Sequence, residues 1–263
     1  MQNISIKDLS FAYTDDKLIL KNISIDIQAG EFVCLLGQSG CGKSTFLRLI
    51  AELEKPTEGE IFCHEKLVRS AGLDRGVVFQ DYGLFPWLTA GENIKLALQQ
   101  KFPKWSKSEY KEAAIEALKQ VGLDESVYKK LPKTLSGGMK QRCAIAQAFA
   151  IKSSILLMDE PFGALDAVTR ARLQDMLLEL CAEQSPKKTV LFVTHDVDEA
   201  LLLASRIIVF GQSPSQIIYD CSIPEEKKPI RETQFEDIEI LRMRNELIRQ
   251  INKDVASHKL SDA

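Results

Sequence analysis

Hydrophobic and polar positions alternate over the first thirty residues. Ile4 and Ile6, then Ile23, Ile25 and Ile27, each skip a polar neighbour. A period of two sends successive side chains to opposite faces, so this segment reads as half-exposed antiparallel strands. Asp15-Asp16 and Ala29-Gly30 supply its turns. Residues 32–36 are then apolar without interruption, as in a strand buried on both faces. A turn at 56–59 leads to a strand at 60–62, and another short strand at 75–79 ends in the polar Gln80. From about 88 to 153 the strand pattern gives way to helical spacing. Ser106 and Glu109 form a capping box, Ala114, Ala117, Leu118 and Val121 follow on one face, and Gly122 stops the helix. A second helix opens at Ser136-Gly137-Gly138, buries Ile145, Ala146, Phe149 and Ala150, and breaks at 152–154. Residues 155–158 and 189–194 read as buried parallel strands, and residues 207–210 and 216–219 as closing strands. Beyond Pro224 the chain turns charged. Ile240, Met243, Leu247 and Ile251 are spaced for a short amphipathic helix, with about the last ten residues expected to fray. The pattern predicts an α/β protein with a parallel sheet, an N-terminal antiparallel β subdomain and an inserted helical subdomain. It places one domain over residues 1–220 and a short tail over 221–263.

Composition changes this picture little. The chain has 263 residues, 45% of them hydrophobic, and a formal charge of −3, so no basic field invites nucleic acid. Lys101, Lys104 and Lys107 read as a solvated face. No apolar run approaches the roughly 18 residues that span a bilayer. The first twenty residues lack the apolar core of a signal peptide, so a cytosolic chain is expected. Six scattered cysteines with no C-x-x-C pair read as free thiols.

The strongest chemical signal is Gly37-Gln38-Ser39-Gly40-Cys41-Gly42-Lys43-Ser44-Thr45, between an apolar strand and a helix. This is G-x-x-x-x-G-K-S in the setting the pattern requires. Its glycines let the backbone wrap an anion, and the helix start adds unpaired N–H groups and a positive dipole end. Lys43 would reach the outer phosphates of a nucleoside triphosphate, and Ser44 would ligate Mg2+. Cys41 is either a small residue that fits or a thiol that the helix start shifts toward thiolate. Asp159 and Glu160 stand at the tip of a buried strand, where two carboxylates need a cation or a reaction to justify their desolvation. His195 follows the next such strand and reads as functional, as does Gln80 at its own strand end. Tyr13 ends the first strand segment and is either a purine-stacking aromatic or an ordinary strand residue. Residues 81–89 carry Tyr82, Leu84, Phe85, Pro86, Trp87 and Leu88. They form either a partner surface or a loop folded over its own core.

Taken in order, the Walker A loop at 37–45, Gln80, the signature at 135–142, residues 155–160, Ala164-Leu165-Asp166 and His195 resemble the ATP-binding cassette ATPases over residues 2 to about 220. The resemblance implies a P-loop NTPase core that binds ATP and Mg2+. Lys43 and the loop amides of residues 37–45 would hold the phosphates, and Tyr13 would stack on adenine. Ser44 and Asp159 would hold Mg2+ with Gln80 nearby. Glu160 would polarise the attacking water, and His195 would contact the γ-phosphate. Ser136, Gly137, Gly138 and Gln141 would meet the nucleotide of a second copy in a head-to-tail dimer, with Asp166 across that interface. Residues 81–89 would dock on a membrane permease, and a periplasmic or lipid-anchored solute-binding protein would take part indirectly. The chain is similar to separate ATPase subunits of importers, and residues 79–89 and 162–170 resemble the nitrate, sulfonate and taurine branch. Such a subunit would sit peripherally on the cytoplasmic face of the inner membrane. The alternative is a soluble ATPase that acts as a regulated binding module without a membrane partner.

Overall fold

A computed structural model describes residues 4–14 and 17–261, with only the backbone of residues 259–261. The turn expected at Asp15-Asp16 lies outside the described residues. Five strands and a helix come first: β1 (Ile4–Ala12), β2 (Leu18–Ile27), β3 (Phe32–Leu36), α1 (Lys43–Ile50), β4 (Glu58–Cys63) and β5 (Lys66–Leu67). Next are β6 (Arg75–Val78), α2 (Ala90–Lys101), α3 (Lys107–Gln120), α4 (Gly137–Ala150), β7 (Ile155–Asp159) and α5 (Ala167–Ala182). The chain ends with β8 (Thr189–Val193), α6 (Val197–Leu203), β9 (Arg206–Phe210), β10 (Ile217–Ser222) and α7 (Ile238–Ser261). Two compact units result. One joins Met1–Ala71 to Thr189–Ala263, and the other is Gly72–Lys188.

The first unit holds two sheets. In the antiparallel one, the order is β2-β1-β4-β5. Ile4 faces Ile27, Ile6 faces Ile25 and Leu9 faces Ile23, so the alternation seen in the sequence pairs apolar with apolar across the strands. All six side chains are buried. In the other sheet β3 runs parallel to both β8 and β9, while β10 returns antiparallel on β9. Every residue of β3 and β8 is buried, which is why neither alternates. Helix α7 buries Ile240 and Leu247, two turns apart. It runs for 24 residues, to Ser261, and so is neither short nor frayed over most of its last turns. Asp254 and His258 anchor that second half: the Asp254 carboxylate accepts from Gln212 N–H at 2.8 Å, and His258 Nδ1 lies 3.8 Å from it.

In the second unit, β6 pairs with β7 in parallel, from Arg75 opposite Ile155 to Val78 opposite Met158. Helices α2, α3 and α4 pack on one another. The capping box at Ser106 and Glu109 is present, and a second one, Thr89 with Glu92, opens α2. Each places a carboxylate on backbone N–H groups, which holds Glu92 and Glu109 below the usual carboxylate range.

Candidate functional site

The phosphate loop leaves the C-terminal edge of β3, where parallel strands expose their tips. Gly37 and Gly42 have φ of 151° and 101°, in the region closed to most side chains. A Cβ at Gly37 would stand 2.7 Å from the Phe210 carbonyl oxygen, and one at Gly42 2.7 Å from the Leu20 side chain. Both positions therefore require glycine on two grounds. Gln38, Ser39 and Gly40 are exposed at the crest of the loop, whereas Lys43 is only 4% exposed. The Lys43 ammonium donates to the carbonyls of Gly37 at 2.8 Å and Gln38 at 2.7 Å. The cation is thus fixed over the loop that the sequence assigned to phosphates. Ser44 and Thr45 follow on the first turn of α1. Tyr13 is half exposed and packs edge-on against Phe11 at 4.8 Å. Its hydroxyl lies 3.3 Å from Thr45 Oγ1, so an open aromatic face stands beside the loop.

Burial bears on the two readings of Cys41. Its side chain is buried, and burial pushes the thiol up, outweighing the Lys43 ammonium and its hydrogen bond, which pull it down. Burial thus favours the small-residue reading over the thiolate reading.

His195 leaves the same edge of the same sheet. Leu35 of β3 and Val193 of β8 are partners in register, and Thr194 N–H donates to Leu35 O at 3.2 Å. His195 is exposed just beyond. Asp196 then caps α6, accepting from the N–H groups of Asp198 and Glu199.

The second unit repeats this arrangement at its own strand tips. Val78 and Met158 are register partners, so Gln80 and Glu160 each stand two residues past the same level of adjacent strands. Gln80 is exposed in the turn after β6, and Asp159 closes β7 at 7% exposure. Glu160 has φ of 42°, a conformation that is strained for a residue with a Cβ. Ser136 caps α4, its hydroxyl accepting from Met139 N–H at 3.3 Å. Gly138 is close-packed: a Cβ there would meet the Thr169 methyl at 2.8 Å. A Cβ on Gly137 would stand 3.3 Å from the Tyr82 hydroxyl, so the segment after Gln80 passes close to the signature helix. Asp166 caps α5 by accepting from Thr169 N–H at 3.0 Å, and this bond holds its carboxyl below the usual range.

Gln141 sits differently from the other signature residues. It is wholly buried on α4, and neither polar atom of its side chain has a hydrogen-bond partner. The exposed face of the signature is Ser136 with the half-exposed Gly137 and Gly138.

Residues 81–89 divide in two. Trp87 is 71% exposed, Phe85 is 40% exposed, and their rings lie 5.3 Å apart. The backbone beneath them is held by Asn93, a residue the sequence did not single out. Asn93 accepts from Phe85 N–H at 2.8 Å and donates toward the carbonyls of Phe85, Leu88 and Thr89 at 3.0–3.2 Å. The loop is therefore fastened from below with its aromatic side chains left outside.

Comparison with known proteins agrees with this geometry. Residues 20–163 match the family described as ABC transporter. The chain is 43% identical over 230 residues to the nitrate import ATP-binding protein NrtD of Synechococcus elongatus, covering 87% of this chain and 83% of that protein. It is also 43% identical over 258 residues to the bicarbonate transport ATP-binding protein CmpC of Synechocystis, but spans only 38% of that longer protein. Among solved structures, a dimeric ATP-binding cassette in a post-hydrolysis state, bound to ADP and Pi, matches with a TM-score of 0.75 and 35% identity, over 84% of this chain and 99% of that one. The chain is an ATP-hydrolysing nucleotide-binding cassette and belongs to the ABC transporter family.

Proposed function

We propose that this cassette works as a head-to-tail dimer that energises import of a small solute through a separate membrane permease. The observation that carries the reading is the phosphate loop, where a buried ammonium is held against the Gly37 and Gln38 carbonyls beside exposed loop residues. Lys43 and the loop amides hold the outer phosphates of ATP, and Tyr13 stacks on the base. Ser44 and Asp159 supply oxygen donors, the ligand chemistry that Mg2+ takes. That ion, when bound, neutralises charge on the phosphates. Gln80 stands near it. Glu160 polarises the attacking water. His195 contacts the γ-phosphate. Ser136 and Gly138 contact the nucleotide of the other copy, with Asp166 at the same interface.

Phosphoryl transfer needs positioning and charge neutralisation more than covalent help, so these roles suffice for hydrolysis. They also make a switch. A ligand shifts a conformational equilibrium only by its difference in affinity for the two states. A γ-phosphate held by both copies favours the closed dimer, and its release favours the open one. Phe85 and Trp87 form the permease-docking surface, at the cytoplasmic face of the membrane. The relatives named for nitrate and bicarbonate support a small anion as solute, although the ATPase itself never touches it.

Two measurements test the reading. Lys43→Ala abolishes Mg2+-dependent phosphate release from ATP, and persistence of normal turnover would overturn the site. Co-expression with integral membrane subunits encoded beside this chain yields a stable complex. Purification with soluble partners alone would favour a regulated binding module instead.

A further inference from the structure

We propose that the C-terminal helix α7 is a positioning element for the nucleotide site, acting through Asp254 on the phosphate loop and through Arg244 on the turn that carries His195. The inference rests on the roles given to the phosphate loop and His195 above. All of its parts lie in one compact unit.

Asp254 acts through the chain that walls the phosphate loop. Leu36 of β3 and Val209 of β9 are register partners, so residues 210–212 leave the sheet alongside Gly37 and Gln38. The approach is close: the Phe210 carbonyl stands where a Gly37 Cβ would fall. Gln212 Nε2 lies 3.5 Å from Gln38 Oε1. This wall is itself held from behind. Gln212 N–H donates to the Asp254 carboxylate at 2.8 Å, and a Cβ on Gly211 would meet the same carboxylate at 2.9 Å. The Asp254 side chain is 15% exposed, so its bond is little diluted by water.

Arg244 acts on the other side. Its guanidinium grips the Asp198 carboxylate through two nitrogens, at 2.6 and 3.3 Å. The N–H of Asp198 donates to Asp196, the cap of α6, and the N–H of Asp196 donates to Thr194 Oγ1 at 3.0 Å. His195 lies inside that short series. Arg244 also offsets negative charge on the turn, where Asp196, Asp198 and Glu199 cluster.

Stability alone is a poor reason for the Arg244 contact. Ion pairs about one-third exposed contribute little to folding. The helix is already secured by Ile240 and Leu247. Ten residues separate Arg244 from Asp254, about 15 Å of rigid rod. One helix therefore sets the spacing between the wall of the phosphate loop and the His195 turn.

The test is steady-state ATP hydrolysis by the full chain, with kcat and KM separated, beside hydrogen exchange and thermal unfolding. Asp254→Ala raises KM for ATP about tenfold, the worth of one charge-assisted hydrogen bond, with kcat within about twofold. Asp254→Asn, whose amide oxygen accepts from the same N–H, restores KM. Arg244→Ala lowers kcat about tenfold at nearly constant KM, and Arg244→Lys recovers part of it. Exchange quickens at amides 37–42 in the first variant and at 194–199 in the second. The inference is overturned if exchange at those amides is unchanged, or if kcat and KM move together in both variants in proportion to lost thermal stability. A wild-type chain that does not hydrolyse ATP would overturn the proposed function, and the exchange pattern would still decide the role of α7.

Discussion

Replacing Asn93 with leucine keeps the branched heavy-atom shape of the side chain and deletes its hydrogen bonds. The side chain is fully buried, accepts one bond from Phe85 N–H and points its amide at three carbonyls. Its two amide hydrogens satisfy two of those carbonyls at a time, so three bonds are lost. At a net 0.5–1.5 kcal/mol each, the cost is about 2–4 kcal/mol. The loss is local before it is global, because all of the bonded carbonyls lie in residues 85–89. Urea unfolding reads the total, and hydrogen exchange at the Phe85 amide reads the loop. Exchange there should accelerate far more than in β3 or β7. Permease capture should fall while ATP hydrolysis by the free cassette persists, since Trp87 and Phe85 lose their fixed display. A loss under about 0.5 kcal/mol with unchanged exchange at Phe85 would refute the reasoning.

Glu160→Gln should retain ATP binding and lose roughly 10²–10⁴ in turnover, the usual worth of general-base help; near-normal phosphate release would remove Glu160 from its role. Cys41 in the native protein should react with a thiol reagent more slowly than the half-exposed Cys181, read by mass spectrometry after limited labelling; faster labelling of Cys41 would contradict its burial. Burial pushes the Cys143 thiol up to about 12. Above pH 9 the unfolded chain releases this proton and the folded chain keeps it, so stability falls with rising pH by about 1.4 kcal/mol per pH unit from this group. Urea unfolding between pH 9 and 10.5 should show a shallower decline in Cys143→Ala than in wild type, and an equal decline would refute the assignment.

Much of this molecule is legible from pattern because local and tertiary preferences agree. Ile4, Ile6, Ile25 and Ile27 declare a two-faced strand pair, and the pair forms in the register that matches them. The phosphate loop, capping box and apolar strands likewise carry their own geometry. Helix α5 is harder to read, because its buried Leu173, Leu177 and Leu180 are interspersed with Gln174 and charged residues. The strand β5 has only two residues and no period to detect. Asn93 was hidden for another reason. An asparagine inside a helix looks solvated until the loop it fastens is known, and the Thr89–Glu92 capping box beside it was not read from the sequence. Cys41 and Gln141 were placed on function by their neighbours in the motif, and their burial is a tertiary property that no motif spells out. The second half of α7 meets the rest of its unit where Asp254 accepts from Gln212, a contact 42 residues apart that no local pattern encodes.

The proposed function rests on a nucleotide-bound dimer, and its most direct test is sedimentation of the Glu160→Gln chain with ATP and Mg2+. A dimer that forms with ATP, returns to monomer with ADP and is lost in Ser136→Arg is the expected result. A chain that stays monomeric at high micromolar concentration with ATP bound would contradict a triphosphate clasped by two copies.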